Sequence, residues 1–178
     1  LRGGKLNDRE KDCPGNSESW AIIDGVRLGA SYLTHVFELQ LHNQTTGRSL
    51  DKATAYSIAV SLKSGLCALL GIEENEVGCT TFESKDKNGK SGYSICLYDT
   101  ATNGAGYVVQ APALLGDMFA KALIVLECAR ECDNACQACI LTYDSQHHVK
   151  DLNRRLALDV LSKQFIASLT LPKAFEVF

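Results

Sequence analysis

The sequence predicts an α+β fold: a small, at least partly antiparallel sheet packed against about three helices, with a four-cysteine zinc loop between the last two helices. Three observations carry this. Apolar residues recur with a period of two in some stretches and at spacings of three and four in others. An Asn-Gly pair joins two short strand patterns in mid-chain. Four of the eight cysteines crowd into residues 128–139.

Residues 1–20 are polar, with no signal-peptide apolar stretch, and read as a linker from a larger parent protein. A single domain is expected over residues 21–178. Extended structure begins near Trp20. From Leu33, residues Leu33, His35, Phe37, Leu39 and Leu41 alternate with Thr34, Glu38, Gln40 and His42, the pattern of a half-buried strand. The period then changes. Ala55, Ile58, Ala59, Leu62, Leu66, Leu69 and Leu70 form a helical stripe that Asp51 caps and Gly71 ends. "EVGCTTFES" and "SGYSICLYD" are strands joined through Asn88-Gly89. After the glycine-rich "TATNGAGYVVQAP", Pro112 opens a helix burying Leu115, Met118, Phe119, Ala122, Leu123 and Leu126. A third helix starts near Asp151 and stripes Leu152, Leu156, Val160, Leu161 and Phe165.

At 178 residues, with 46% hydrophobic and 22% charged residues, the chain has the composition of one ordinary globular domain. Its net charge of −3 excludes a domain-wide basic surface and leaves room for a local basic patch. The longest apolar run, "ALIVLECA", is interrupted by Glu127, so no membrane segment is expected. Without a secretory signal the reducing cytoplasm is the expected compartment, where clustered cysteines bind metal more often than they form disulfides.

The spacing Cys128-x3-Cys132-x3-Cys136-x2-Cys139 puts four thiols in one short loop. Soft sulfur ligands select zinc or an iron–sulfur cluster. A thioredoxin-type pair would use one C-x-x-C and leave Cys128 and Cys132 idle, and ordinary reduced cysteines are the bland alternative. Four thiolates fill a tetrahedral zinc shell and leave no position for water or substrate, so the expected zinc is structural. Cys67, Cys79 and Cys96 lie in apolar patterns and read as free buried thiols, whereas Cys13-Pro14-Gly15 is a candidate piece of a second metal site.

Two flanking stretches are candidates for phosphate or nucleic-acid contact. Asn103, Gly104 and Gly106 lie in a turn whose backbone N–H groups could approach a phosphate. Positive charge gathers late in the chain at Lys150, Arg154 and Arg155, with His147 and His148 beside it. The bland alternatives are a plain turn and a solvated helix start with Arg154 paired to Asp151 or Asp144. His35, Asp99 and the His pair are far apart in sequence. There is no Ser-His-Asp or H-E-x-x-H spacing and no Walker motif. No catalytic residue is expected.

At "LYDTATNGAGYV", "ECARECDNACQACILTYDSQHH" and "LNRRLALDVL" the sequence resembles the MrfA-type zinc-binding (MZB) domain family. This formerly uncharacterised domain lies at the C-terminus of certain superfamily 2 helicases and in the DrmB protein of the DISARM anti-phage system. The resemblance covers roughly residues 28–165. It implies that Cys128, Cys132, Cys136 and Cys139 are zinc ligands. Tyr98, Asp99, Gly104, Gly106 and Tyr107 match the family's turn, and Tyr143, Gln146 and His148 its segment after the metal. Asn153 stands where Asp is more usual before Arg154, Asn103-Gly104 replaces Gly-Gly, and many members have the first two cysteines closer together. The resemblance implies a non-catalytic accessory role, with DNA or a helicase subunit as partner, in helicase function or anti-phage defence.

Overall fold

A computed structural model describes residues 29, 31–43, 46–85 and 89–169. The chain divides into two units, Leu1–Ser31 and Tyr32–Phe178, and the fold is that of the second. Its elements are β1 (Val36–Leu39), α1 (Lys52–Leu70), β2 (Val77–Lys85), β3 (Ser91–Asp99), α2 (Ala111–Leu126), α3 (Arg154–Val160) and α4 (Lys163–Leu169). Short 3-10 turns cover Glu74–Glu76, Val108–Gln110 and Ser145–Asp151. Cys13 and the expected extended stretch from Trp20 lie outside the described residues.

The sheet runs β1-β3-β2 and is antiparallel throughout. Cross-strand pairs run from Val77↔Asp99 to Lys85↔Ser91, so the hairpin closes where the Asn-Gly signal stands, with Gly89 at φ 76°. In β1, Phe37 and Leu39 are half-buried while Val36 and Glu38 are exposed. Leu33, expected on the inner face, precedes the strand and is exposed.

The core is built around α1. Asp51 caps it, accepting from the Thr54 amide at 2.9 Å, and Gly71 at φ 67° ends it. Ile58, Leu62 and Leu66 pack against Ile95 and Leu97 of the sheet and Met118, Phe119 and Leu126 of α2. Where the two helices cross, Gly65 has no room for a side chain: a Cβ there would lie 3.0 Å from the Met118 carbonyl oxygen.

Two expectations are corrected. The helix expected from Asp151 is broken into three pieces. The Asn153 side chain accepts from the Leu156 amide at 3.1 Å and starts α3 afresh. Leu161 then leaves the helical region (ψ 59°), and Ser162 accepts from the Phe165 amide to start α4. Leu152, Val160, Leu161 and Phe165 still reach the core, with Phe165 edge-on to Phe119 at 5.2 Å. Second, Lys52–Leu70 and Val108–Leu126 are long and apolar enough to cross a membrane, because alanines and scattered polar residues hide their mean hydropathy from a search for unbroken runs. The first is a core helix, 72% buried; the second is only 28% buried.

Gly65→Val is expected to cost about 1–3 kcal/mol by forcing α1 and α2 apart. A denaturant titration should show a lower midpoint at unchanged slope.

Candidate metal centre

The loop between α2 and the Ser145–Asp151 turn gathers four sulfurs. Those of Cys128, Cys132, Cys136 and Cys139 lie within 4.8 Å of one another, the pairs Cys128–Cys136 and Cys132–Cys139 at 3.6 Å and Cys136–Cys139 at 3.8 Å. Four Zn–S bonds of about 2.3 Å define a tetrahedron with edges of about 3.8 Å, so the donor set fits Zn(II) in size and chemistry. The Ala138 amide donates to the Cys136 sulfur at 3.4 Å and the Cys136 amide to the Cys139 sulfur at 3.2 Å. Cys128 and Glu131 are held at φ 37° and 50°, a region non-glycine residues occupy only when their surroundings dictate it. Convergence of four sulfurs on one point is such a demand.

The bare thiols are electrostatically mismatched. The Cys132 backbone N–H draws the Cys128 thiol down to about 6, while burial pushes Cys132 up to about 12. A bound cation removes the conflict by stabilising every thiolate together. The scattered thiols behave differently. Cys67 and Cys96 are buried, Cys79 is half-buried, and burial raises all three above the ordinary thiol range.

Arg154 changes role. It is 6% exposed and is not on the basic surface expected of it. Its guanidinium donates to the Cys132 carbonyl and, at 3.1 Å, to the Leu126 carbonyl at the C-terminal end of α2. Its amide donates to the Asn134 carbonyl at 2.8 Å. Neither expected ion pair forms: Asp144 binds Lys63 at 2.6 Å and Asp151 binds Lys52 at 2.8 Å. Among the described residues no carboxylate pairs with Arg154, so the buried cation sits beside the thiol cluster. Its neighbours join the latch. The Asn153 amide donates to the buried Ser57 hydroxyl of α1 at 2.7 Å, and Arg155 pairs with Asp133 of the loop at 2.5 Å. Asn serves here as well as the Asp more usual in relatives, since both are good N-caps.

The glycine turn is corrected too. Its N–H groups do converge on an anion, but the anion is the chain's own. Asp99, fully buried, accepts from the Gly106 amide at 2.6 Å and the Val108 amide at 3.1 Å. The Asn103 amide is bound to the Leu33 carbonyl and the Gly104 amide to the Ala101 carbonyl, so no free nest is left for a phosphate. Gly104, at φ 76°, lies directly under the His35 ring; a Cβ would fall 2.2 Å from Nδ1. The β1–β3 pairing brings His35 Nδ1 to 3.3 Å from Asp99, a contact between residues 64 apart that sequence reasoning missed. His147 and Lys150 are exposed, without a polar partner among the described residues, and His148 lies edge-on to Tyr56 at 5.3 Å.

Residues 58–140 match the family model of the MrfA Zn-binding domain, a segment that runs from α1 through the last cysteine. That segment is similar to an MZB domain. Over 65 residues it is 40% identical to the Druantia protein DruE of Escherichia coli (strain UMEA 4076-1), covering 36% of this chain and 4% of that protein. Among solved structures, the DUF1998 helicase MrfA bound to DNA aligns with 66% of this chain at 18% identity and a TM-score of 0.45. The chain spans 14% of that helicase's length. The four-cysteine loop of an MZB domain is a zinc site, and four thiolates closing the shell make the zinc structural.

Structural zinc in small peptides contributes about 10–16 kcal/mol at neutral pH, more than most domains' net stability. Stripping the metal with a chelator under reducing conditions is therefore expected to free residues 127–161, read as faster amide exchange there than in β2 and β3. Arg154→Met should lose about 1–3 kcal/mol for each orphaned carbonyl. Arg154→Lys should recover part of it, since one ammonium lacks the fork that spans both oxygens. Denaturant midpoints and zinc retention against a chelator provide the measurement.

Proposed function

We propose that this chain is a non-catalytic accessory domain of a superfamily 2 DNA helicase or an anti-phage defence protein, supporting nucleic-acid engagement within a larger cytoplasmic polypeptide. The observation that carries the reading is the donor set. Cys128, Cys132, Cys136 and Cys139 are four thiol ligands from one loop, which leaves the metal no open position for water or substrate. The MrfA Zn-binding family match and the likeness to a Druantia protein support the larger-protein setting. With Arg154 buried and the glycine turn filled by Asp99, the groups exposed for phosphate contact are His147 and Lys150, with His148 and Arg155, paired to Asp151 and Asp133, beside them.

A fluorescence titration with single-stranded and duplex DNA tests this. Binding should weaken with salt, and Lys150→Glu should lower the slope of log affinity against log salt by about one. A salt-independent or absent affinity removes the nucleic-acid reading.

One observation favours a second reading, a scaffold that docks a partner helicase subunit. Helix α2 leaves Ile124 65% exposed, and Val109 just before it is 60% exposed, on a mostly apolar segment whose charged residues are Asp117 and Lys121. Loss of that subunit in Ile124→Lys, with DNA affinity intact, would favour it.

A further inference from the structure

A cleft of about 470 Å3 opens away from the cysteines. Tyr56 and Lys63 of α1, two helical turns apart, line one side, and Val77, Gly78, Cys79 and Thr80 of β2 line another. The segment from Thr142 to His148 faces them. Successive side chains of a strand point to opposite faces of a sheet. Four consecutive strand residues therefore line one cleft only if the strand presents its edge to it.

That edge is open. β2 ends the order β1-β3-β2 and pairs with β3 alone among the described residues. Natural edge strands are usually short, bulged or broken by proline; β2 runs nine residues, Val77–Lys85, with no proline. Its four cleft residues extend on the order of 13 Å, room for about four residues of an added strand. The opposite wall is fixed rather than collapsed onto the edge. Lys63, 3% exposed, holds Asp144 at 2.6 Å. The Ser145 hydroxyl donates to the Ile140 carbonyl at 2.9 Å and accepts from the Thr142 amide at 2.8 Å.

The lining also has a charge preference. Lys63 and Asp144 neutralise each other, which leaves Glu74 as the remaining carboxylate, beside the rings of Tyr56, Tyr98 and Tyr143, with the imidazoles of His147 and His148 also on the lining. Tyrosine faces with a carboxylate nearby attract a cation and repel a phosphodiester. We infer that this slot takes an extended peptide segment that pairs with β2 as a fourth strand and presents a Lys or Arg side chain to the tyrosines and Glu74. The site stands apart from the zinc assignment; it shares His147 and His148 with the nucleic-acid reading but does not need that reading.

The test uses the zinc-loaded full chain and short fluorescent peptides of alternating Thr and Val with one central Arg. Saturable binding is expected, weaker by roughly tenfold when Glu replaces the Arg. N-methylation of alternate amides should cost at least about tenfold, because it removes the donors of strand pairing. Glu74→Gln and Tyr143→Ala change exposed side chains; each should weaken the Arg peptide at unchanged melting temperature and zinc content. Equal affinity for the N-methylated peptide, or no saturable binding, overturns the proposal. So does a thymidine oligonucleotide that binds this chain and loses affinity in Tyr143→Ala.

Discussion

A buried guanidinium is tolerable only where something offsets its desolvation, and at Arg154 that something is the sulfur cluster. Zn(II) cancels only half the charge of four thiolates, so a metal-loaded loop remains anionic and the Arg154 cation lies beside it. The same side chain closes the end of α2 through Leu126 and clamps the loop through Cys132. From there the order passes along the chain. Ile140, just after the last cysteine, enters the core; Ser145 ties the next turn to it; Lys63 and Lys52 draw Asp144 and Asp151 onto α1. The Ser145–Asp151 turn and α3 are thus held both to the cysteine loop and to α1, while α4 is held to α2 through Phe165 and Phe119.

Asp99 is the negative counterpart. Of the three charged side chains buried among the described residues, Lys63 pairs with Asp144, and the other two are satisfied largely by backbone: Asp99 by amides of the glycine turn, Arg154 by the carbonyls of Leu126 and Cys132. In both places a motif with the chemistry of a ligand site has been used to shape the fold. What remains for recognition is the unpaired strand edge, the apolar side of α2 and the exposed His and Lys of the Ser145–Asp151 turn.

Local rules were the legible part. Caps at Asp51 and Gly71, the hairpin at Gly89 and the cysteine loop each depend on residues close in sequence, and each appears where those residues stand. Failures came where a residue's partner is distant or is backbone. Arginines are usually surface residues, and no sequence pattern marks the carbonyls of Leu126 and Cys132 as waiting for one. The glycine turn is expected from sequence to offer N–H groups to a phosphate, yet the nearest carboxylate upstream takes those of Gly106 and Val108. The His35–Asp99 contact depends on strand order, which periodicity does not encode.

The cysteine loop also bears on the order in which the chain organises itself. Its sulfur pairs join residues only seven and eight apart, whereas the Arg154 clamp spans 22 and the Asn153–Ser57 bond spans 96. Closing a short loop costs little chain entropy, and each longer closure costs more. Gathering the sulfurs is therefore a local closure, comparable in span to the β2–β3 hairpin, where Lys85 pairs with Ser91. A bound ion would fix the loop that the longer Arg154 and Asn153 contacts then reach.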